Sequence, residues 1–177
     1  MARVRAGEID LLEDLFERHH RQLYRYFLGR THDPSGSEDC VQDVFHRVLR
    51  YRRRFRDSGS FTFWLYTIAK NVFSDHVKRQ PKSVPIEQIR GRQEDDRSNR
   101  GTDHRVVMSS LLRQLSDADR EIVLLSRVEQ LSIAEMAELL GCSPGATKVR
   151  IHRALRRLRE IYDDAGQGGT RELSNSH

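Results

Sequence analysis

The stretch SIAEMAELLGCSPGATKVRIHRALRRLR, residues 132–159, carries the punctuation of two consecutive helices. Ser132 followed by Glu135 is a capping box, in which the hydroxyl accepts from the third helical N–H while the carboxylate reaches back to the cap. Gly141 stands where a left-handed residue closes a short helix. Ser143 then caps a second helix whose first position is Pro144, where proline's missing N–H costs nothing. A short helix, a three-residue turn containing glycine and a longer basic helix make a helix-turn-helix pattern.

The faces of the second helix sort cleanly at 100° per residue. Thr147, Ile151, Ala154, Leu155, Leu158, Ile161 and Tyr162 cluster opposite Val149 and form the side that must bury. Ala146, Arg153, Arg156 and Arg157 lie near Val149, with Arg150 just beyond. That exposed face is cationic, with small residues in its first turn, as entry into a major groove requires. Arginines further along, Arg156 and Arg159, suit phosphate better than base edges. Between Ser143 and Arg159 there are basic side chains and no acid, whereas 105–142 carries more acids than bases. Such sorting builds a local electrostatic footprint, which an ordinary solvated helix face would not need.

Working upstream, 81–104 holds Pro81, Pro85, Gly91 and Gly101, few aliphatics and no sustained period, and reads as a flexible linker. Before it lie three helical segments, predicted at about 8–29, 37–55 and 61–79. Their apolar stripes are Leu12, Leu15, Phe16, Leu23 and Phe27; Val41, Val44, Phe45, Val48 and Leu49; and Phe61, Trp64, Leu65, Ile68 and Val72. Asp33-Pro34-Ser35-Gly36 reads as a turn ending the first. The expected organisation is all-α, with two small helical domains (1–80 and 105–165), the linker 81–104 between them and a disordered tail at 166–177.

The whole chain has 177 residues, with 31 Lys plus Arg against 26 Asp plus Glu, a net charge of +5 that suits a polyanionic partner. Its apolar runs are too short for a transmembrane helix and its N-terminus lacks the apolar core of a signal peptide, so a soluble, cytoplasmic protein without membrane insertion is expected. Two cysteines, Cys40 and Cys142, are too few for a disulfide framework or zinc knuckle. Glu17-x-x-His20 and Asp43-x-x-His46 have the spacing of di-metal helix bundles. Taking Val41 as zero, however, Asp39, Asp43 and His46 point about 140–200° away from the apolar face, and cannot converge inside a bundle. No P-loop, nucleophile elbow or zincin motif is present, and no catalytic residue, metal or cofactor is expected. Phe63, Tyr66 and Lys70 fall away from the stripe of the third helix; aromatics beside a cation there either stack unpaired bases or pack on another helix.

SEDCVQDVFHRVLRYRRRF (37–55), followed by SFTFWLYTIAKNVFSDHVKRQ (60–80), resembles the second conserved region of bacterial sigma factors of the extracytoplasmic-function (ECF) branch. LLRQLSDADREIVLLSRVEQLSIAEMAELLGCSPGATKVRIHRALRRLRE (111–160) resembles that branch's fourth region. The resemblance spans about 8–163, with both blocks in order around a short linker. It implies a non-enzymatic subunit that binds core RNA polymerase, recognises the minus-thirty-five and minus-ten promoter elements and helps to melt DNA. Asp39, Gln42, Asp43 and Phe45 match polymerase-docking positions on the second helix. The loop Arg56, Asp57, Ser58, Gly59 and Ser60 matches the element that captures a flipped minus-ten base, and Lys70, Asn71 and Arg79 match DNA-facing positions; Phe63 and Tyr66 join this group as stacking candidates. Ser143, Ala146, Thr147, Lys148, Arg150 and Arg153 match the minus-thirty-five reader, with Arg157 added from the helix face. Implied partners are core RNA polymerase, promoter DNA as duplex and melted strand, and an anti-sigma factor. Where the family often has Gly-Thr-Val-Lys, this chain has Gly145-Ala146-Thr147-Lys148. The rival function is a helix-turn-helix regulator that acts on duplex DNA without being a polymerase subunit.

Overall fold

Side-chain caps start five of the helices among the described residues, at Asp33, Ser60, Ser116, Ser132 and Ser143. The computed structural model describes residues 1–56, 59–79 and 101–172, with side chains from 107 to 165 in the last segment. Among these residues there are eight α-helices, one 3-10 turn and no strand: α1 (Ala2–Ala6), α2 (Leu11–Thr31), α3 (Pro34–Tyr51), the turn Arg52–Arg54, α4 (Phe61–Arg79), α5 (Gly101–Arg113), α6 (Asp117–Leu125), α7 (Ile133–Leu140) and α8 (Pro144–Glu172).

The residues 33–36 do not form the expected turn. His32 adopts left-handed geometry (φ 56°) and ends α2, and Asp33 caps α3 by accepting from the Ser35 N–H at 3.1 Å, with Pro34 in the first turn. The second helix therefore begins three residues earlier than predicted and gives way to the 3-10 turn after Tyr51. The third helix spans 61–79 as its period requires, with the Ser60 hydroxyl accepting from the Phe63 N–H. The short α1 has no counterpart in the sequence reading; Val4 is buried, and Arg5 donates to the Phe55 carbonyl. In the second half, α5 takes residues 101–104 of the expected linker, 81–100 lie outside the described residues, and α8 continues past 165 to Glu172.

The core of the first domain stacks Leu23 and Phe27 of α2 on Val44 and Val48 of α3 and Leu65, Ile68 and Val72 of α4, all buried. Each such side chain contributes about 1.5–3 kcal/mol. In the second domain α6 and α7 both lie on α8, closing over Ile122, Leu125, Met136, Ala154 and Ile161. The two domains then pack on each other, α2 against α6 and α4 against α7, and a single apolar cluster runs through both. The contact is close: a Cβ built on Gly29 of α2 would lie 2.7 Å from Leu124 Cδ2 of α6.

Candidate nucleic-acid interface

The helix-turn-helix is built as its punctuation demands. Ser132 Oγ accepts from the Glu135 N–H at 3.2 Å while Glu135 Oε2 accepts from the Ser132 N–H at 2.8 Å, and Gly141 closes α7 at φ 64°. Burial alone would raise the Glu135 carboxyl; bonds from the Ser132 N–H and hydroxyl and from Ser60 outweigh it and hold the group below the usual carboxylate range. Ser143 Oγ then accepts from the Ala146 N–H at 3.2 Å and starts α8. A second fixture was missed in the sequence: Arg120 donates to the carbonyls of Leu112 (2.7 Å), Arg113 (3.2 Å) and Leu115 (3.0 Å), and to Asp117 (3.0 Å), tying the end of α5 to α6. The cue was an (i, i+3) Asp–Arg pair inside SDADR.

On α8 the exposed side carries Ser143, Ala146, Lys148, Val149, Arg153, Arg156, Arg157 and Arg159, with Arg150 half-buried near Cys142. Thr147 is fully buried and bonds the Ser143 carbonyl and Cys142 Sγ, so it shapes the first turn and offers no side chain to DNA. Tyr162, predicted inside, is 59% exposed, although its neighbour Ile161 is buried.

The docking candidates separate in a similar way. Asp39 and Gln42 are exposed, while Asp43 is half-buried and paired with Arg47 (3.3 Å), which also binds Asp75 of α4 (2.9 Å). Phe45 is buried edge-on against Phe16, and so belongs to the packing of α2 on α3. A groove of about 250 Å³ runs between α3 and α4, lined by Asp39, Gln42, Asp43, His46, His76 and Arg79. Arg79 thus sits beside the acidic face of α3, away from Lys70 and Asn71. Cys40 lies beneath; burial first, and then Asp43, Asp39 and Asp33, push its thiol up to about 11, so it stays protonated at neutral pH.

Of the loop expected at the minus-ten strand, Asp57 and Ser58 lie outside the described residues; Arg56 and Gly59 are exposed, and the Gly59 N–H bonds the Arg56 carbonyl at 3.0 Å. Phe63 is half-buried and Asn71 exposed. They line a cleft of about 230 Å³ with Thr67, Lys70 and, from α7, Glu138 and Leu139. Tyr66 corrects the expectation of an exposed aromatic: it is fully buried, edge-on to Tyr26 at 5.4 Å, with its hydroxyl unpartnered. Burial raises its phenol well above the usual range. Helix packing, the alternative open at that position, accounts for it. Among the described residues no group of three or more His, Cys, Asp and Glu could hold a metal; His20 stacks on Phe16, and His19 packs edge-on to Phe61. No helix among them is long and apolar enough to cross a membrane.

A helix-turn-helix with an exposed cationic face, joined to a four-helix domain whose groove carries Asp39 and Asp43, is the layout of a two-domain DNA-binding protein. Residues 15–82 match Sigma-70 region 2 and residues 105–158 match Sigma-70, region 4. The chain is 34% identical over 168 residues to the RNA polymerase sigma factor CarQ of Myxococcus xanthus, covering 93% of this chain and 96% of the relative. It is 31% identical to the ECF RNA polymerase sigma factor SigL of Mycobacterium tuberculosis, covering 94% and 98%. Its fold is similar to CnrH, solved with the cytosolic domain of CnrY (TM-score 0.71, 23% identity, 92% of this chain and 94% of that one). It is also similar to RpoE, solved with the anti-sigma factor NepR from Bartonella quintana (TM-score 0.62, 22% identity, 85% and 98%). The chain belongs to the ECF branch of the RNA polymerase sigma factors.

Proposed function

We propose that this chain is the promoter-recognition subunit of a bacterial RNA polymerase: it docks on the core enzyme, binds the minus-thirty-five element as duplex and the minus-ten element as melted strand, and performs no catalysis itself. The observation that carries this reading is the presence in one chain of both sigma regions, in order, each with its own intact helical scaffold; a duplex-binding regulator has no use for the first. The cytoplasm is the compartment such a role requires.

The residues divide by role. Asp39 and Gln42, with the accessible edge of Asp43, offer an acidic surface to a basic part of polymerase. The loop from Arg56 to Ser60, with Phe63, Lys70 and Asn71, serves the displaced strand in this reading, where an unstacked base gains a contact that the duplex cannot provide. Lys148, Arg150 and Arg153 meet base edges in the major groove, with Ser143 and Ala146 leaving room for close approach, and Arg156, Arg157 and Arg159 meet phosphate. An anti-sigma factor is a further partner in this reading, supported by the solved relative with NepR. The test is in vitro transcription by core polymerase, with and without this chain, on a promoter library. Promoter-specific transcripts dependent on the chain are expected. Duplex binding without any stimulation of polymerase would instead identify a helix-turn-helix regulator.

A further inference from the structure

The strand-facing side of α4 is already occupied by this chain's own second domain. Lys70 donates to the Leu139 carbonyl at the end of α7 and lies 3.6 Å from Glu121 of α6. The Ser60 hydroxyl of the first domain helps to hold the Glu135 carboxyl low, and Glu138 and Leu139 wall the cleft that holds Phe63 and Asn71. Behind this, Arg30 of α2 pairs with Glu121 at 2.9 Å, with the two side chains 13% and 14% exposed, and its guanidinium stacks 3.8 Å above Phe73. Three carboxylates, Glu121, Glu135 and Glu138, thus stand along the face where an anionic strand would run. The cationic side of α8 is left open, Val149 at its centre being 49% exposed.

We propose that the acidic face of α6 and α7 is a docking surface for α4 that excludes the single strand, so that the free chain is masked at its minus-ten face and unmasked at its minus-thirty-five helix. This rests on the assignment of the α4 face to the melted strand. A nine-to-one closed-to-open ratio would lower the apparent affinity for single-stranded DNA tenfold, because only the open fraction competes for it. Duplex binding through α8 would be unaffected.

Gly29→Leu is the direct wedge. Leucine is the better helix former, so α2 gains intrinsically, while the three nearest atoms its Cβ meets all belong to Leu124 of the other domain. Glu121→Gln is the second variant, of equal volume, leaving Arg30 and Lys70 without their carboxylate. Two readouts are taken on the full chain: the radius of gyration by small-angle scattering, and anisotropy with a fluorescein-labelled random-sequence 12-nucleotide single strand beside a random-sequence duplex. Either variant is expected to raise the radius by several ångströms and single-strand affinity about tenfold, with duplex affinity unchanged. An unchanged radius and affinity in both variants overturns the mask, as does expansion without any gain in single-strand binding. Lys70→Ala in polymerase-bound promoter opening then locates the failure. Lost opening leaves the assignment of α4 standing and condemns the mask alone; normal opening condemns the assignment as well.

Discussion

Arg120→Ala removes the side chain that holds α5 to α6, and its cost can be worked from its bonds. Arg120 is 11% exposed at its side chain and donates to three main-chain carbonyls at the end of α5. The Leu112 and Arg113 carbonyls belong to the last turn of α5, where the helix leaves acceptors over, and Leu115 lies just beyond it; Leu112 also accepts from the Leu115 N–H at 3.2 Å. The bonds to Leu112 (2.7 Å) and Leu115 (3.0 Å) are shielded from water, whereas Arg113 and the 90% exposed Asp117 are well solvated and add little. Two shielded bonds from a charged donor, at about 1.5 kcal/mol each, give about 3 kcal/mol, which exceeds the typical cost of a point mutation. Urea unfolding followed by helical circular dichroism should show this as a midpoint lowered by about 1.5 M for a slope near 2 kcal/mol/M. Arg120→Lys should restore less than half, since a single ammonium cannot span the carbonyls that the guanidinium fork reaches. A loss below about 1 kcal/mol in Arg120→Ala, with unchanged slope, would mean that water replaces these bonds freely and that the α5–α6 corner is held by packing alone.

Burial first, then Arg120 and Arg113, push the His32 imidazole down to about 4 against the opposing pull of Asp117, while in the unfolded chain it returns to about 6.5. The unfolded chain binds the extra proton between these values, so the stabilisation is complete above about pH 6.5 and is lost as pH falls towards 4; His32→Asn should flatten the fall in urea midpoint across that window, and an identical pH slope would remove His32 from the account. Asp39→Arg should lower affinity for core polymerase more than tenfold without loss of helicity, because Asp39 is exposed and forms no ion pair among the described residues; unchanged affinity in a pull-down titration takes it out of the interface. Arg153→Ala should relax preference at one promoter position at a cost of about 1–3 kcal/mol, while Arg159→Ala should weaken all promoters alike and reduce the salt slope by about one. The reverse pattern in binding-site selection would mean that α8 docks in another register.

What was legible in the chain was what short-range chemistry decides. Ser132, Glu135, Gly141, Ser143 and Pro144 act on groups within four residues of themselves, so their reading needs no knowledge of the fold, and each is where it was expected. Tyr66 fails for the opposite reason: its partner Tyr26 lies 40 positions away, and nothing near it in sequence says that α4 is covered on two sides. Arg30 and Glu121 are unremarkable charges on amphipathic helices until tertiary packing puts them 2.9 Å apart. Arg79 is a different kind of miss. Nine residues at 100° each place it half a turn from Lys70, so periodicity alone separates the two, and only family resemblance had grouped them. Phe45 likewise continues the stripe of Val41, Val44 and Val48, and packs accordingly.

The closed arrangement also bears on the order of events at a promoter. A nine-to-one bias towards closure amounts to about 1.3 kcal/mol. A single base stacked on an aromatic side chain contributes about 1–3 kcal/mol, so one captured base offsets most or all of it. A mask of that strength sets a threshold without preventing promoter opening. Because α8 stays uncovered, the minus-thirty-five duplex can be held while α4 is still occupied by Glu121, Glu135 and Glu138. The single strand becomes a competitor only once duplex melting has produced it. Charge makes the exchange nearly symmetric, since Lys70 leaves a carboxylate and a carbonyl for a phosphate. The arrangement therefore discriminates against stray single strands, which meet the chain without polymerase or a minus-thirty-five element to draw the domains apart.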